Sequence, residues 1–532
     1  MGRLGKIERF CIVGIAAMAA VIAAMLVWKM QPAPSAPPGE VPEENDTLAQ
    51  PEDRYPKYLT LGATPPVLSF EDADGRETSL EAYRGRTLIV TFWGSWCGYC
   101  KDQLSLWQGF QEVLSGRAEY LLIDKLDPEK ETVEQAQEYL KEAQIPFPTW
   151  FDRELKAYQG WGLSIIPTTV ALNPEGQVIY CKAGEISSKG EFQAVVDYAV
   201  DGGDSASLHF LLESMTGPNG GVFTNYLEKA GEAPVGHDVL SESQGLLLEY
   251  AVLVQDKSLF DSAYQFISQN MMQDGLVSWY VTGEGVQAGS NALLDDLRIY
   301  GALESADQLW GGYGEDAAKL RDAIYSGNTR DGKLVGFYDF QTNQKAGSVP
   351  LNYLDPKTLQ EMAEKDARFE EVYQNALSVL QGGYLGDQFP LYSASYDYGE
   401  EAYSQDSLNT AEALYTLYHL ARAGLLPEQS LNWLREKLDS GGLSARYSVS
   451  GETVSGFDYH STAVYALAGL IALEEGDNGL LTKAVSYMER YRVNDAENKF
   501  NGAFGDGETG DFPSFDQLMP LLLYGSLKNG DY

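Results

Sequence analysis

The rhythm of apolar and polar positions changes near residue 200. From about 60 to 200, apolar runs of strand length at 88–93, 120–123, 168–172 and 178–181 alternate with helical stretches. That alternation predicts an α/β region. Beyond about 205 the period becomes helical, and Gly-rich, aromatic-rich loops break the helices. Amphipathic patterns occupy 258–272, 317–325, 368–380, 428–438 and 481–491, as expected of helices with one face outward. Between them lie more apolar helices that open on acids, at Glu242, Asp296, Asp406, Asp458 and Asp516. The steps are 54 (242 to 296), 110 (296 to 406), 52 (406 to 458) and 58 (458 to 516), and 110 is about two periods. The skipped start falls at Leu351-Asn352-Tyr353-Leu354-Asp355. Six apolar helices alternating with outer ones predict an all-α (α/α)6 toroid whose inner helix N-termini share one face.

Residues 10–28 are apolar and uncharged, long enough to cross a bilayer, and Arg3, Lys6 and Arg9 precede them. The positive-inside bias then puts the N-terminus in the cytoplasm and the bulk outside. A cleaved signal peptide is the alternative, although its apolar part is usually shorter. Seven prolines among acids at 31–58 read as a semi-rigid spacer. The expected layout is a stub and transmembrane anchor at 1–30, a linker at 31–58, an α/β domain at 59–202 and the toroid at 203–532. A net charge of −39 excludes a nucleic-acid partner, which needs clustered Lys and Arg.

Four cysteines are present, and two of them stand in Trp96-Cys97-Gly98-Tyr99-Cys100, directly after the 88–93 strand and before a helical stretch. A cysteine at a helix N-terminus is favoured as thiolate, so the pair reads as a redox dithiol. A structural disulfide or half a zinc site is the bland alternative, and the second Cys pair that zinc would need is missing. Cys181 on a late strand reads as a small buried hydrophobe, and Cys11 lies in the apolar N-terminal segment. With Pro167 ahead of the 168–172 strand, Trp93-Gly94-Ser95-Trp96-Cys97-Gly98-Tyr99-Cys100 resembles the thioredoxin-like thiol–disulfide oxidoreductases of the TlpA and ResA type. The resemblance implies that Cys97 attacks, that Cys100 resolves the mixed disulfide, and that Trp96 and Pro167 support them. Thioredoxins proper carry a buried Asp where this chain has Thr91, which leaves the proton acceptor unassigned.

Carboxylates converging among aromatic loops suit glycoside hydrolysis, in which one acid protonates the leaving oxygen and a second activates water. Acids at helix starts are also ordinary N-caps. Ser241-Glu242-Ser243-Gln244-Gly245, then Leu276-Val277-Ser278-Trp279, then Asp296 with Ile299, Ala302 and Leu303, resemble glycoside hydrolase family 8. The resemblance implies Glu242 as general acid, Asp406 as base with Asp458 as its alternative, Asp295 and Asp296 in support, and Trp279 and Tyr353 as sugar contacts. Leu294 stands at the family's first Asp position, so Asp295 replaces that carboxylate or nothing does.

The reading is a membrane-anchored extracytoplasmic thiol–disulfide oxidoreductase joined to a hydrolase of a β-linked polysaccharide. Its rival is the same oxidoreductase carrying a degenerate polysaccharide-binding toroid. Expected partners are protein thiols or disulfides and a polysaccharide, with a membrane electron donor compatible; no cofactor or metal is expected. The toroid region holds no cysteine, so the dithiol's client is another protein.

Overall fold

The computed structural model describes residues 59–229, 231–457 and 460–529. The apolar segment 10–28, the 31–58 spacer, Cys11 and Asp458 lie outside the described residues. No helix among the described residues is long and apolar enough to cross a membrane.

The first part is a seven-stranded sheet in the order β2-β1-β5-β4-β3-β6-β7. Its strands are β1 (Ser69–Glu71), β2 (Glu77–Ser79), β3 (Leu88–Trp93), β4 (Glu119–Asp124), β5 (Thr149–Phe151), β6 (Thr168–Leu172) and β7 (Val178–Ala183). Every residue of β3 is buried, as its continuous apolar run requires of a central strand. It pairs in parallel with β4 and antiparallel with β6. The helices of eight residues or more are α1 (Gly98–Ser105), α2 (Trp107–Leu114), α3 (Val133–Glu142) and α4 (Lys189–Asp201). α2 and α4 lie together, with Phe110 stacked on Phe192 at 3.9 Å.

Twelve further helices follow in inner and outer sets. In chain order they are α5 (Ser205–Ser214), α6 (Ser241–Leu253), α7 (Lys257–Asn270), α8 (Leu293–Trp310), α9 (Gly314–Asn328), α10 (Pro356–Lys365), α11 (Phe369–Gly382), α12 (Thr410–Arg422), α13 (Glu428–Asp439), α14 (Thr462–Glu474), α15 (Asn478–Glu489) and α16 (Ser514–Asn529). Helix α6 packs on α8, α12 on α14 and α14 on α16, and α16 returns to α6. A 3-10 turn, Leu351–Tyr353, and α10 fill the place between α8 and α12. The ring is therefore closed, and its outer layer is α5, α7, α9, α11, α13 and α15. Inner α14 is buried from Thr462 through Ala472, consistent with an apolar surface all round, whereas outer α10-facing α11 and its counterparts bury one stripe. The sixth outer helix, α5, was not anticipated from the repeat; it packs on α16 and closes the outer layer.

The two parts share a packed seam. Only Gly202, Gly203 and Asp204 separate α4 from α5. A side chain at Gly203 would meet the Tyr524 and Tyr198 rings at 2.6 and 2.9 Å, so glycine is needed for that close approach. Across the seam, the Leu61 amide donates to Thr482 Oγ1 at 3.0 Å and Asn494 Nδ2 to Tyr180 Oη at 3.2 Å. Arg492 lies over the rings of Tyr198 and Tyr524.

Candidate functional sites: a dithiol and a carboxylate cluster

β3 delivers Cys97 to the N-cap of α1, where its Sγ accepts the Cys100 amide at 3.2 Å. That amide is one of the unsatisfied donors of a helix start, and the Cys97 sulfur satisfies it. Cys97 Sγ also approaches the Ile166 carbonyl at 3.6 Å, next to the cis Ile166–Pro167 bond. The expected meeting of Pro167 with the dithiol is thus present. Cys97 is 8% exposed and Cys100 is 0% exposed. Burial, then the neighbouring Cys97 sulfur, pushes the Cys100 thiol up. One sulfur is reachable and supported by an amide, while the other is a buried thiol that keeps its proton. Of the two, only the Cys97 sulfur is open to a partner. Thr91 joins a hydroxyl chain, sharing a 2.9 Å bond with Thr169 and accepting from Tyr120 at 2.9 Å. Cys181 is fully buried on β7.

In the ring, Ser241 opens α6 and its amide donates to the Trp279 carbonyl at 3.0 Å, which seats Trp279 beside Glu242. Ser241 Oγ donates to Asp295 Oδ2 at 2.5 Å, and Arg298 Nη1 donates to Asp295 Oδ1 at 2.8 Å. Arg298 continues to Tyr415 Oη at 2.9 Å and to Glu249 at 3.6 Å. Gly245 lets this side chain pass, because a Cβ there would stand 3.0 Å from Arg298 Cδ. Burial pushes Asp295 up, Arg298 opposes it, and the charge of Glu242 adds to the rise. Tyr353 is held up by burial and then by the charges of Asp295, Glu412 and Glu242. The start of α6 with Glu242 is thus joined to Asp295 through Ser241 and to the Trp279 backbone, and the charges of Glu242 and Asp295 reach Tyr353.

Two expectations change. Asp406 does not open the fourth inner helix: α12 starts at Thr410, and Asp406 is exposed in the preceding loop, accepting Ser404 Oγ at 2.9 Å. The reason is a short strand at Leu408–Asn409 paired with Arg446–Tyr447, after which the Asn409 side chain caps the helix. Glu412, in the first turn of α12, takes the place that Asp406 was expected to hold. Asp296 is a structural group, 0% exposed, accepting the Val277 amide at 2.9 Å and Asn291 Nδ2 at 2.5 Å. Gln244 is likewise structural, taking the Val222 amide at 3.1 Å and donating to the Gly220 carbonyl at 3.1 Å. Asp516, in the first turn of α16, does not cap its own helix but reaches across to the start of α14, accepting the Ala463 amide at 2.9 Å and Ser461 Oγ at 2.8 Å.

Asp296 has a testable consequence. Burial pushes it up to about 8, partly offset by Asn291 and Val277, so the folded chain keeps a proton that the unfolded chain releases near ~4. Unfolding therefore releases a proton between these values, and stability falls as pH rises through them. Denaturant unfolding at several pH values should show this slope in the wild type and its loss in Asp296→Asn; equal slopes would refute the assignment.

The sequence model of the AhpC/TSA family matches residues 61–181. ResA of Geobacillus thermodenitrificans, named a thiol-disulfide oxidoreductase, is 26% identical over 120 residues, 23% of this chain and 67% of its own. A solved structure described as a novel alpha-amylase from Clostridium perfringens has a TM-score of 0.58 and 28% identity, covering 61% of this chain and 97% of its own. "Putative lipoprotein YdaJ" of Bacillus subtilis is 30% identical over 296 residues, 54% of this chain and 80% of its own. The chain is thus an enzyme in which a thioredoxin-like thiol–disulfide oxidoreductase domain precedes a helical domain of glycoside hydrolase type. By that relationship to YdaJ, with a dithiol module ahead of its carboxylate-bearing ring, the chain belongs to the YdaJ family.

Proposed function

We propose that the chain is anchored by residues 10–28, faces the extracytoplasmic space, and combines thiol–disulfide exchange with hydrolysis of a β-linked polysaccharide. The observation that carries the hydrolase reading is the bond from Ser241, which stands next to Glu242 at the start of α6, to Asp295 at the start of α8, with the charges of Asp295, Glu412 and Glu242 all acting on Tyr353. In this reading Glu242 protonates the leaving oxygen, Asp295 holds a sugar hydroxyl, and Glu412 activates the water. Trp279 and Tyr353 offer ring faces to the sugar. Arg298, bonded to Asp295, holds that side chain in place and opposes the rise that burial gives it. Support for the anchor comes from the uncharged apolar run and the cations before it. The dithiol's client is another extracytoplasmic protein, because no cysteine follows Cys181 in this chain.

An α-linked glucan is the second reading of the substrate, favoured by the likeness to the clostridial amylase. Reducing-end release by the full chain, measured on β-glucans, bacterial exopolysaccharides, starch and glycogen, separates the two. Release from β-linked polymers alone supports the first reading, and release from starch alone supports the second. Binding without release from any polymer would overturn the hydrolase reading in favour of a polysaccharide-binding toroid, as Leu294 in the family's Asp position would suggest.

A further inference from the structure

The ring grips the thioredoxin-like part close to its dithiol, a contact that neither activity by itself requires. The chain between α15 and α16 meets the first turn of α4, where the Ala496 amide donates to the Gly190 carbonyl at 3.0 Å. Asp495 folds this segment into a turn, its carbonyl accepting the Asn498 amide and its Oδ1 the Glu497 amide, both at 2.9 Å. Gly190 lies in an α-helix without a positive φ, so its backbone does not call for glycine. The missing side chain has another reason: a Cβ there would collide with Asp495 Oδ1 and stand 3.1 Å from Glu497 Cγ. Glycine is disfavoured inside a helix, and here it lets the ring close on α4.

The turn held in this way ends the loop that supports the dithiol. Loop 184–188 joins β7 to α4. Its Gly184 amide donates to the Pro167 carbonyl at 2.9 Å, and its Ile186 amide to Gln103 Oε1 at 2.9 Å. Gln103 lies three residues beyond Cys100 in α1, and both Gln103 and Ile186 are buried. At its far end the Ser187 amide donates to Glu191 Oε2 at 2.7 Å, and Ser188 Oγ accepts the Glu191 amide at 3.0 Å. Hydrogen bonds therefore fix the loop from Pro167 to the turn under Ala496. Ahead of Pro167, the Ile166 carbonyl is 3.6 Å from Cys97 Sγ, and Ile165 is 44% exposed. A client disulfide that reaches Cys97 thus lies against the 165–167 turn.

We propose that segment 494–497 of the ring, acting through loop 184–188, positions the 165–167 turn for the protein client. The inference rests on the thiol–disulfide exchange reading and adds the ring to its machinery. With Ala496 bonded to Gly190, the first turn of α4 is held from outside, and the loop's other bonds have a fixed end. Without that bond the loop ends on a helix turn that frays more readily, as helix ends do. The loosening passes to the Gly184–Pro167 bond, and the turn then presents Ile165 and the Ile166 carbonyl in several arrangements. A protein client, which needs that surface in one arrangement, binds more weakly because the surface is no longer preorganised. A small thiol needs only the Cys97 sulfur, whose contact with the Cys100 amide lies inside the start of α1. The thioredoxin-like part thus meets protein clients at full strength only while joined to the ring.

The test uses the full chain carrying Ala496→Pro, which removes the donating amide and leaves the sequence of the thioredoxin-like part unchanged. KM for insulin disulfides is expected to rise about fivefold, the worth of one ordinary hydrogen bond. The kcat, and the rate at which dithiothreitol reduces the oxidised chain, should change by less than about twofold. Amide hydrogen exchange over 184–188 should quicken in the same variant. Gly190→Ala, which pushes Asp495 away, should reproduce both effects, and adding Asp495→Ala should recover part of the KM rise. An unchanged KM, or a dithiothreitol rate that falls by the same factor as insulin binding, would overturn the proposal. If Ala496→Pro fails to fold, Gly190→Ala decides, and a double variant no better than Gly190→Ala counts against the proposal. A wild-type chain that never reduces insulin disulfides would overturn the exchange reading instead. Hydrogen exchange then judges the clamp alone, and an unchanged rate over 184–188 overturns it.

Discussion

Glu242→Gln in the full chain is expected to lower polysaccharide cleavage by about 10² to 10⁴, the usual worth of a positioned general acid. Glutamine keeps the size and polarity of the side chain, so the α6 start, the Trp279 carbonyl contact and the Ser241–Asp295 bond should persist. What it removes is the proton for the leaving oxygen. A substrate with an activated aryl leaving group needs little such help, and on it the variant should keep far more of its rate. That contrast separates loss of an acid from loss of the fold. An unchanged rate on polysaccharide would remove Glu242 from the mechanism. Glu412→Gln is expected to reduce both substrates alike, because water activation is required whichever group departs, whereas Asp406→Asn on the exposed loop should change little.

Cys97→Ser is expected to take reduction of a protein disulfide to the uncatalysed background. The only other sulfur in the motif is Cys100, 0% exposed and held as a thiol by its burial. A client disulfide reaches Cys97 and not Cys100. Cys100→Ser has a different expected outcome: the first attack proceeds, but nothing releases the client, so a Cys97 mixed disulfide accumulates on non-reducing gels. Equal activity in Cys97→Ser, or no trapped species in Cys100→Ser, would reverse or remove these roles.

The dithiol was legible because its determinants are local. A buried strand, the Trp-Cys-x-x-Cys turn and the helix after it are contiguous, and only Pro167 had to be brought from elsewhere. Glu242 was legible for the same reason, since Ser241 begins α6. The fourth inner helix was misplaced because its start depends on Leu408 pairing with Tyr447, a contact across 39 residues that no acid spacing reveals. The count of acids followed a loop there, and it followed helix starts at Glu242, Asp296 and Asp516.

The seam between sheet and ring bears on how the molecule can be handled. Tyr180, Tyr198, Phe504 and Tyr524 are each under a tenth exposed, and all of them border it. Cutting the chain at Gly202 would strip both pieces of this cover and leave aromatic faces in water, the kind of patch that drives proteins out of solution. Recombinant halves should therefore be harder to keep dispersed than the intact chain. A natural insertion or fusion would be better tolerated in the acidic spacer ahead of residue 59, away from the seam.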